Sequence, residues 1–215
     1  MSARKGGSSG GARPEILVNI EGGDWLIKFP SSTDSQSIGE IEYNYSLAAK
    51  DCGIIMPETK LFENKYFGAK RFDRSGDTKI HMHSAAGLLQ ADFRLTSLDY
   101  ADLFKATMAL TKDINEVLKI YRLMVFNVLT SNKDDHAKNF SFIYHNNKWQ
   151  VSPAYDLVYS NSFNGQHTTT INGNGLPGKN DIIKLAENIG INKKISNSII
   201  EEITDKTKAL KKYSK

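Results

Sequence analysis

Apolar and polar residues repeat along this chain with two different periods, and the change from one to the other divides it. Residues 12–20 alternate in the manner of a half-buried strand, residues 21–24 carry turn chemistry, and residues 25–29 alternate again, so the spacing predicts a hairpin. Residues 38–52 switch to helical spacing through Ile41, Tyr45, Ala48 and Ala49, with Gly53 placed to end the helix. Two more strands follow at 59–63 and 66–72, joined around Asn64 and Lys65. From Ser84 onward the helical period dominates. Tyr100, Leu103, Phe104, Thr107 and Met108 mark one helix. Ile114, Val117, Leu118, Tyr121, Val125, Val128 and Leu129 mark a stronger one, widened by Leu123 and Phe126 toward its end. A helix that is apolar almost all round is a buried one.

That helix delivers the chain to a polar run at 131–139, which therefore emerges from a core. A hairpin is predicted at 140–144 and 149–151, then a polar stretch to Asn180 and two terminal helices. The expected fold class is α+β. Residues 1–74 would form a small antiparallel-sheet lobe with one helix, and residues 75–215 a mainly helical lobe. No internal repeat is evident.

Composition changes this picture little. Of 215 residues, 40% are apolar and 24% charged, which are ordinary globular values. No apolar run approaches the roughly 20 residues that span a bilayer, and the first residues lack a signal-peptide core, so a cytoplasmic protein without membrane contact is expected. The single cysteine, Cys52, excludes an intrachain disulfide and is expected to pack as a small apolar group. The formal charge of +4 is concentrated toward the C-terminal tail, at Lys206, Lys208, Lys211, Lys212 and Lys215. With no recognition-helix pattern ahead of it, direct nucleic-acid binding is not expected. His81 and His83 alternate as zinc ligands do, but the face of a half-exposed strand accounts for them.

The candidate chemistry is phosphoryl transfer, which asks for a phosphate lid, a strand lysine, a carboxylate near the incoming hydroxyl and oxygen ligands for magnesium. Gly6, Gly7, Gly10 and Gly11 lead into the first hairpin, where backbone N–H groups can approach a phosphate chain without Cβ interference, although by composition alone the run is a flexible linker. Lys28 sits on the second strand and Glu42 in the helix after it. Asp134 and Asn139 stand five apart, the offset of Asp and Asn in the protein-kinase catalytic loop, and Asp156 lies 17 residues beyond Asn139. Taken singly each has a bland alternative, and the pair Asp134-Asp135 most simply belongs to a solvated loop or helix cap. Their order and context are what point to chemistry.

Five ordered segments carry a resemblance. Ser8-Ser9-Gly10-Gly11-Ala12-Arg13-Pro14, Trp25-Leu26-Ile27-Lys28-Phe29-Pro30, Arg71-Phe72-Asp73-Arg74, Asn132-Lys133-Asp134-Asp135-His136-Ala137-Lys138-Asn139-Phe140-Ser141 and Ser152-Pro153-Ala154-Tyr155-Asp156-Leu157 are similar to the successive signatures of HipA-like kinases. The resemblance implies a two-lobed protein-kinase-like fold and an ATP- and Mg²⁺-dependent serine/threonine protein kinase. Asp134 would be the base, with Lys138 close to the transferring phosphate. Lys28, paired with Glu42, would neutralise the α/β-phosphates under a lid that includes Gly10 and Gly11. Lys70 to Phe72 would face the adenine, with Asp73 and His136 near the ribose, and His136 has the alternative of bracing its own loop. Asn139 and Asp156 would hold the metal, and Ser8, with Ser9 as its competitor, would be phosphorylated by the kinase itself.

The resemblance also implies a protein substrate, in some relatives a component of translation, and a helix-turn-helix antitoxin as partner. Family members commonly carry lysine where this chain has Glu15, and they are usually about twice as long. An N-terminal subdomain, in some cases a separate protein, is expected to be missing here. A pseudokinase that docks an antitoxin, or a small-molecule kinase, are the alternative readings.

Overall fold

The computed structural model describes residues 3–4, 13–90, 98–162 and 164–214. Alternating strands at the start of the chain build an antiparallel sheet of five, in the order β1-β2-β3-β5-β4: β1 (Ala3–Arg4), β2 (Glu15–Ile20), β3 (Gly23–Lys28), β4 (Thr59–Phe62) and β5 (Tyr66–Lys70). Leu26 lies opposite Leu17 on one side and Ala69 on the other. Trp25 and Ile27, on the opposite face of β3, are buried, with the Trp25 indole edge-on to Phe62 at 5.5 Å.

The predicted helix is α1 (Ile38–Asp51), and it packs on β4 and β5. Gly53 ends it at φ +73°, with Gly53 N–H on the Lys50 carbonyl and Ile54 N–H on the Ala49 carbonyl, the double bond of a left-handed helix end. Cys52 is buried at that end, and burial pushes its thiol up to about 11, consistent with inert packing. Near the helix start, Gly39 meets β5 so closely that an added Cβ would lie 2.1 Å from the Lys65 carbonyl oxygen.

The remainder begins with a short hairpin, β6 (Arg74–Ser75) and β7 (Thr78–Lys79), followed by β8 (His81–Ser84) and α2 (Ala85–Leu88). Beyond it come β9 (Leu98–Asp99), α3 (Tyr100–Thr111) and α4 (Ile114–Leu129), then a 3₁₀ turn at Ala137–Asn139. The expected hairpin is β10 (Ser141–His145) and β11 (Lys148–Val151), but β8 adds to it as a third strand, with Phe142 opposite His83 and Tyr144 opposite His81. Those two histidines thus belong to a sheet, and no group of three His, Cys, Asp or Glu able to hold a metal exists among the described residues. β12 (Thr169–Thr170) pairs with β9, and α5 (Lys179–Asn188) and α6 (Lys193–Lys206) close the chain with a final 3₁₀ turn at Lys208–Tyr213. No helix among the described residues is long and apolar enough to cross a membrane.

As its all-round apolar pattern requires, α4 runs through the centre, with Val117, Ile120, Tyr121, Met124, Val125 and Phe126 all buried. The main core around it includes Tyr45, Ala49 and Cys52 of α1. It therefore does not stop at residue 74. The helix that follows the first hairpin is seated on the helical part of the molecule as well as on its own sheet.

Replacing Gly39 by alanine tests that seating. Alanine favours a helix over glycine by about 1 kcal/mol, but here its methyl group overlaps the β5 backbone, and the overlap is expected to destabilise by about 2 kcal/mol net. A denaturant midpoint for Gly39→Ala equal to or above the wild-type value would contradict the close approach of α1 to β5.

Candidate active site

Lys28 ends β3 on the face opposite Trp25 and Ile27, and its ammonium reaches Glu42 on α1 at 2.6 Å and also pairs with Asp156. Glu42 itself is buried, and Arg13 approaches its other oxygen at 3.4 Å while holding Asp34 at 3.0 Å. Burial by itself disfavours the Lys28 ammonium, yet the charges of Asp156 and Glu42 overcome it and raise the lysine above its ordinary value. Burial also raises Glu42, against the attraction of Lys28. For Asp156 burial is outweighed by Lys28, with help from Lys138 and Arg13, and the carboxyl is held below its usual range. Asp156 sits in the left-handed region at φ +55°.

Lys28 and Asp156 border a cleft of about 490 Å³, a usual size for a small-molecule site. Leu17, Leu26, Phe67 and Ala69 form its apolar roof, and Lys70, Arg71, Phe72 and Asp73 run along one edge. Lys138, Asn139, Tyr155 and Asp156 form the opposite wall. The amides of Lys70 and Arg71 are already used, on the Glu58 and Asp24 carbonyls, both at 2.8 Å. Asp73 is held by Arg71 at 2.8 Å and Arg74 at 2.6 Å; burial opposes its ionisation, but the Arg71 hydrogen bonds and charge hold it low.

Buried α4 ends at Thr130, and the polar run follows in a compact loop. Asn139 donates its amide to the Asp134 carbonyl at 2.8 Å, and the His136 ring meets the Asp134 carboxylate at 2.8 Å. Tyr155 donates to the Lys138 carbonyl at 2.7 Å and meets Ser141 at 2.5 Å, so the residue before Asp156 is fastened to the loop bearing Asn139. One turn after Glu42, the Tyr45 hydroxyl donates to the Thr130 carbonyl at 2.7 Å, tying α1 to the root of the same loop.

The fold thus brings Lys28, Lys70, Phe72, Asp73, Lys138, Asn139 and Asp156 to one cleft. Glu42 stands behind Lys28. Asp134 and His136 lie outside the cleft lining, and His136 braces its own loop through Asp134. Ser8, Gly10 and Gly11 lie outside the described residues. The expectation of a solvated Asp134-Asp135 pair holds for half of it: Asp134 is 51% exposed but Asp135 is fully buried. The contacts of Arg13, Tyr45, Tyr155 and His167 are not written in the sequence, since nothing local marks a side chain that will meet its partner far along the chain.

The donor set suits magnesium. Asn139 spends its amide N–H on Asp134, which leaves its carbonyl oxygen free of that bond, and Asp156 brings a carboxylate to the same wall. One or two protein oxygens completed by phosphate and water are what Mg²⁺ takes, whereas a full protein cage is absent among the described residues.

Residues 7–210 match the family model described as the HipA-like C-terminal domain. A Sinorhizobium fredii protein named "Putative kinase Y4dM" is 27% identical over 80% of this chain, and a Haemophilus influenzae "Putative kinase" is 26% identical over 98%. The chain spans 46% of the first of these relatives and 76% of the second. Among solved structures, HipA of Shewanella oneidensis, determined in complex with HipB and operator DNA, superposes with a TM-score of 0.77 at 17% identity, over 95% of this chain and 57% of that one. The Helicobacter pylori proinflammatory kinase CtkA gives 0.63 at 16% identity, over 99% and 93%. The kinase-like α+β architecture expected from the sequence is the fold these structures share with it.

Removing the shared cation should expose the electrostatics. Lys28→Met leaves the buried Glu42 without its main partner, which is expected to cost about 3 kcal/mol at pH 8, the half-exposed Asp156 adding little. The pH dependence has a definite sign. Glu42 is raised above its ordinary 4.5, so folding favours its protonated form and that contribution is lost as pH rises; without Lys28 the rise is larger. Asp156, held below 3.8 chiefly by Lys28, contributes stability above that value in the wild type and less in the variant. The stability gap between wild type and Lys28→Met should therefore narrow from pH 8 toward pH 4.5. A gap independent of pH in urea titrations would refute the coupling.

Proposed function

Because this chain belongs to the HipA-like C-terminal domain family, we propose that it is an ATP-dependent serine/threonine protein kinase, with an N-lobe over residues 1–74 and a C-lobe over 75–215. The observation that carries the reading is the Lys28 ammonium held between Glu42 of α1 and Asp156, at the wall of a cleft that also contains Asn139 and Lys138. A lysine pinned by a helix carboxylate is poised to meet the α- and β-phosphates of a nucleotide, and the apolar roof with Phe72 suits an adenine. Asp73 would face the ribose. His136, by its contact with Asp134, is better suited to bracing the loop.

Asp134 is the proposed base. A serine or threonine hydroxyl attacks the γ-phosphorus, its proton passes to the Asp134 carboxylate, and the bond to the β,γ-bridging oxygen breaks, leaving ADP as the departing group. Lys138, which lines the cleft, would neutralise the transferring phosphoryl. Asn139 and Asp156 would hold Mg²⁺, which offsets the charge of the phosphates when bound. Lys28 meets one oxygen of Asp156, so the other would be the one offered to the metal.

A protein substrate and a helix-turn-helix antitoxin complete the proposal, together with a cytoplasmic location. The antitoxin is supported by the HipB present in the Shewanella complex. The test is incubation of the purified protein with γ-labelled ATP and Mg²⁺, alone and with cell lysate. Label on protein is expected; label on small molecules only, or none, would overturn the reading. Asp134→Asn should lower transfer by about 10²- to 10⁴-fold with nucleotide affinity nearly unchanged, because a base acts in the transition state. Asp156→Ala should weaken nucleotide binding only when Mg²⁺ is present. Wild-type turnover in the first variant, or Mg²⁺-dependent affinity intact in the second, would remove those residues from their roles.

Ser8 is the proposed autophosphorylation site. A phosphate there would add about −1.5 to −2 charge beside a triphosphate and disfavour nucleotide binding. Intact-mass analysis after incubation with Mg·ATP should show one added phosphate on Ser8 or Ser9, absent from Asp134→Asn. A phosphate mapped elsewhere in the chain would refute the assignment.

A further inference from the structure

Asp134 has little packing of its own: its carboxylate is half exposed and meets His136 at 2.8 Å. Its neighbour is the opposite. The fully buried Asp135 carboxylate accepts the Tyr100 hydroxyl at 2.9 Å and the His167 ring at 3.0 Å on one oxygen. The amides of Thr168 and Thr169 donate to the other at 2.9 and 3.1 Å. The Thr169 hydroxyl donates to the Asp135 carbonyl as well. Tyr100 in turn accepts Asn127 of α4 at 3.1 Å, and Asn127 accepts Asn132 at 3.0 Å, which returns the chain of bonds to the loop it started from.

A buried carboxylate is costly unless its lone pairs are filled, and four donors from two separate segments fill these. They also fix it in direction, since moving Asp135 by an ångström would strand several buried donors at once. The peptide that carries this fixed group also carries Asp134, and the Asn139 amide closes on the Asp134 carbonyl from the other side. The donors at 167–169 lie beyond Asp156 in the chain, so one carboxylate joins the two segments that flank Tyr155 and Asp156.

We propose that Asp135 is the positioning residue of the site: clamped by Tyr100, His167 and the Thr168–Thr169 backbone, it sets where the exposed carboxylate of Asp134 stands. This rests on the reading of Asp134 as the base. Asparagine at 135 keeps the shape but presents N–H groups to at least one donor, so the clamp loosens while Lys28 and Asp156 keep their own partners. The loss then falls on transfer and leaves nucleotide binding alone.

The experiment compares the full wild-type chain with Asp135→Asn, Tyr100→Phe and Thr169→Val. Autophosphorylation rate, affinity for a non-hydrolysable ATP analogue with Mg²⁺, and amide hydrogen exchange over residues 132–139 and 167–170 are measured. Asp135→Asn is expected to slow transfer by about 100-fold, the effect of roughly an ångström of misplacement, with unchanged analogue affinity and faster exchange in both segments. Tyr100→Phe, which removes one donor of four, should move the same readouts less. Wild-type transfer in Asp135→Asn, or a loss confined to analogue affinity, would overturn the proposal.

If Asp135→Asn fails to fold, the other two variants decide: slower transfer at unchanged affinity in either supports the clamp, and wild-type transfer in both overturns it. If the wild type transfers no phosphate, the kinase reading falls. The clamp then stands or falls on exchange alone, with faster exchange in Tyr100→Phe supporting it and identical exchange overturning it.

Discussion

One buried ammonium organises this molecule. Lys28 comes from the first hairpin, Glu42 from the helix after it and Asp156 from beyond the last hairpin, and the lysine charge is what allows the two carboxylates to share a low-dielectric site. Glu42 lies at the back, buried, and Asp156 at the front, half open to the cleft. The arrangement is therefore asymmetric: the rear pair is structural, and the front pair is the one that solvent or a ligand can reach.

The position of Glu42 is decided away from its own sheet. Its helix is tied to the helical part by the Tyr45 hydroxyl on Thr130, by Arg122 on the Cys52 carbonyl at 2.7 Å and by Lys206 on the Asp51 carbonyl at 2.6 Å. Asn44 donates to Tyr213 in the final turn at 2.7 Å. The helix that carries Glu42 is thus held at one flank and along its C-terminal end.

Much of this was legible along the chain. The period of two in 25–29 and of 3.6 in 38–52 located Lys28 on a strand and Glu42 on a helix, because both periods are set by local backbone geometry. The all-round apolar pattern of α4 announced a buried helix, and the offset from Asp134 to Asn139 marked the loop it feeds. β8 read as a strand from the alternation of His81 and His83, but its place beside β10 was not legible, since a four-residue strand has no pattern strong enough to reveal its partner. Nor was Asp135. Next to an exposed aspartate it carries the same local signal, and only the meeting of Tyr100 and His167 with it takes it out of water.

The sequence by itself determined on which local elements the candidate residues sit, because periodicity, turn residues and spacing act over a few residues. Tertiary structure alone decided which charges share an environment. Asp134 and Asp135 differ in exposure, Glu42 stands behind the cleft while Asp156 borders it, and Tyr155 fastens the segment of Asp156 to the loop of Asn139. Burial and charge pairing depend on distances between groups far apart in the chain, and those distances exist only once the helices have packed.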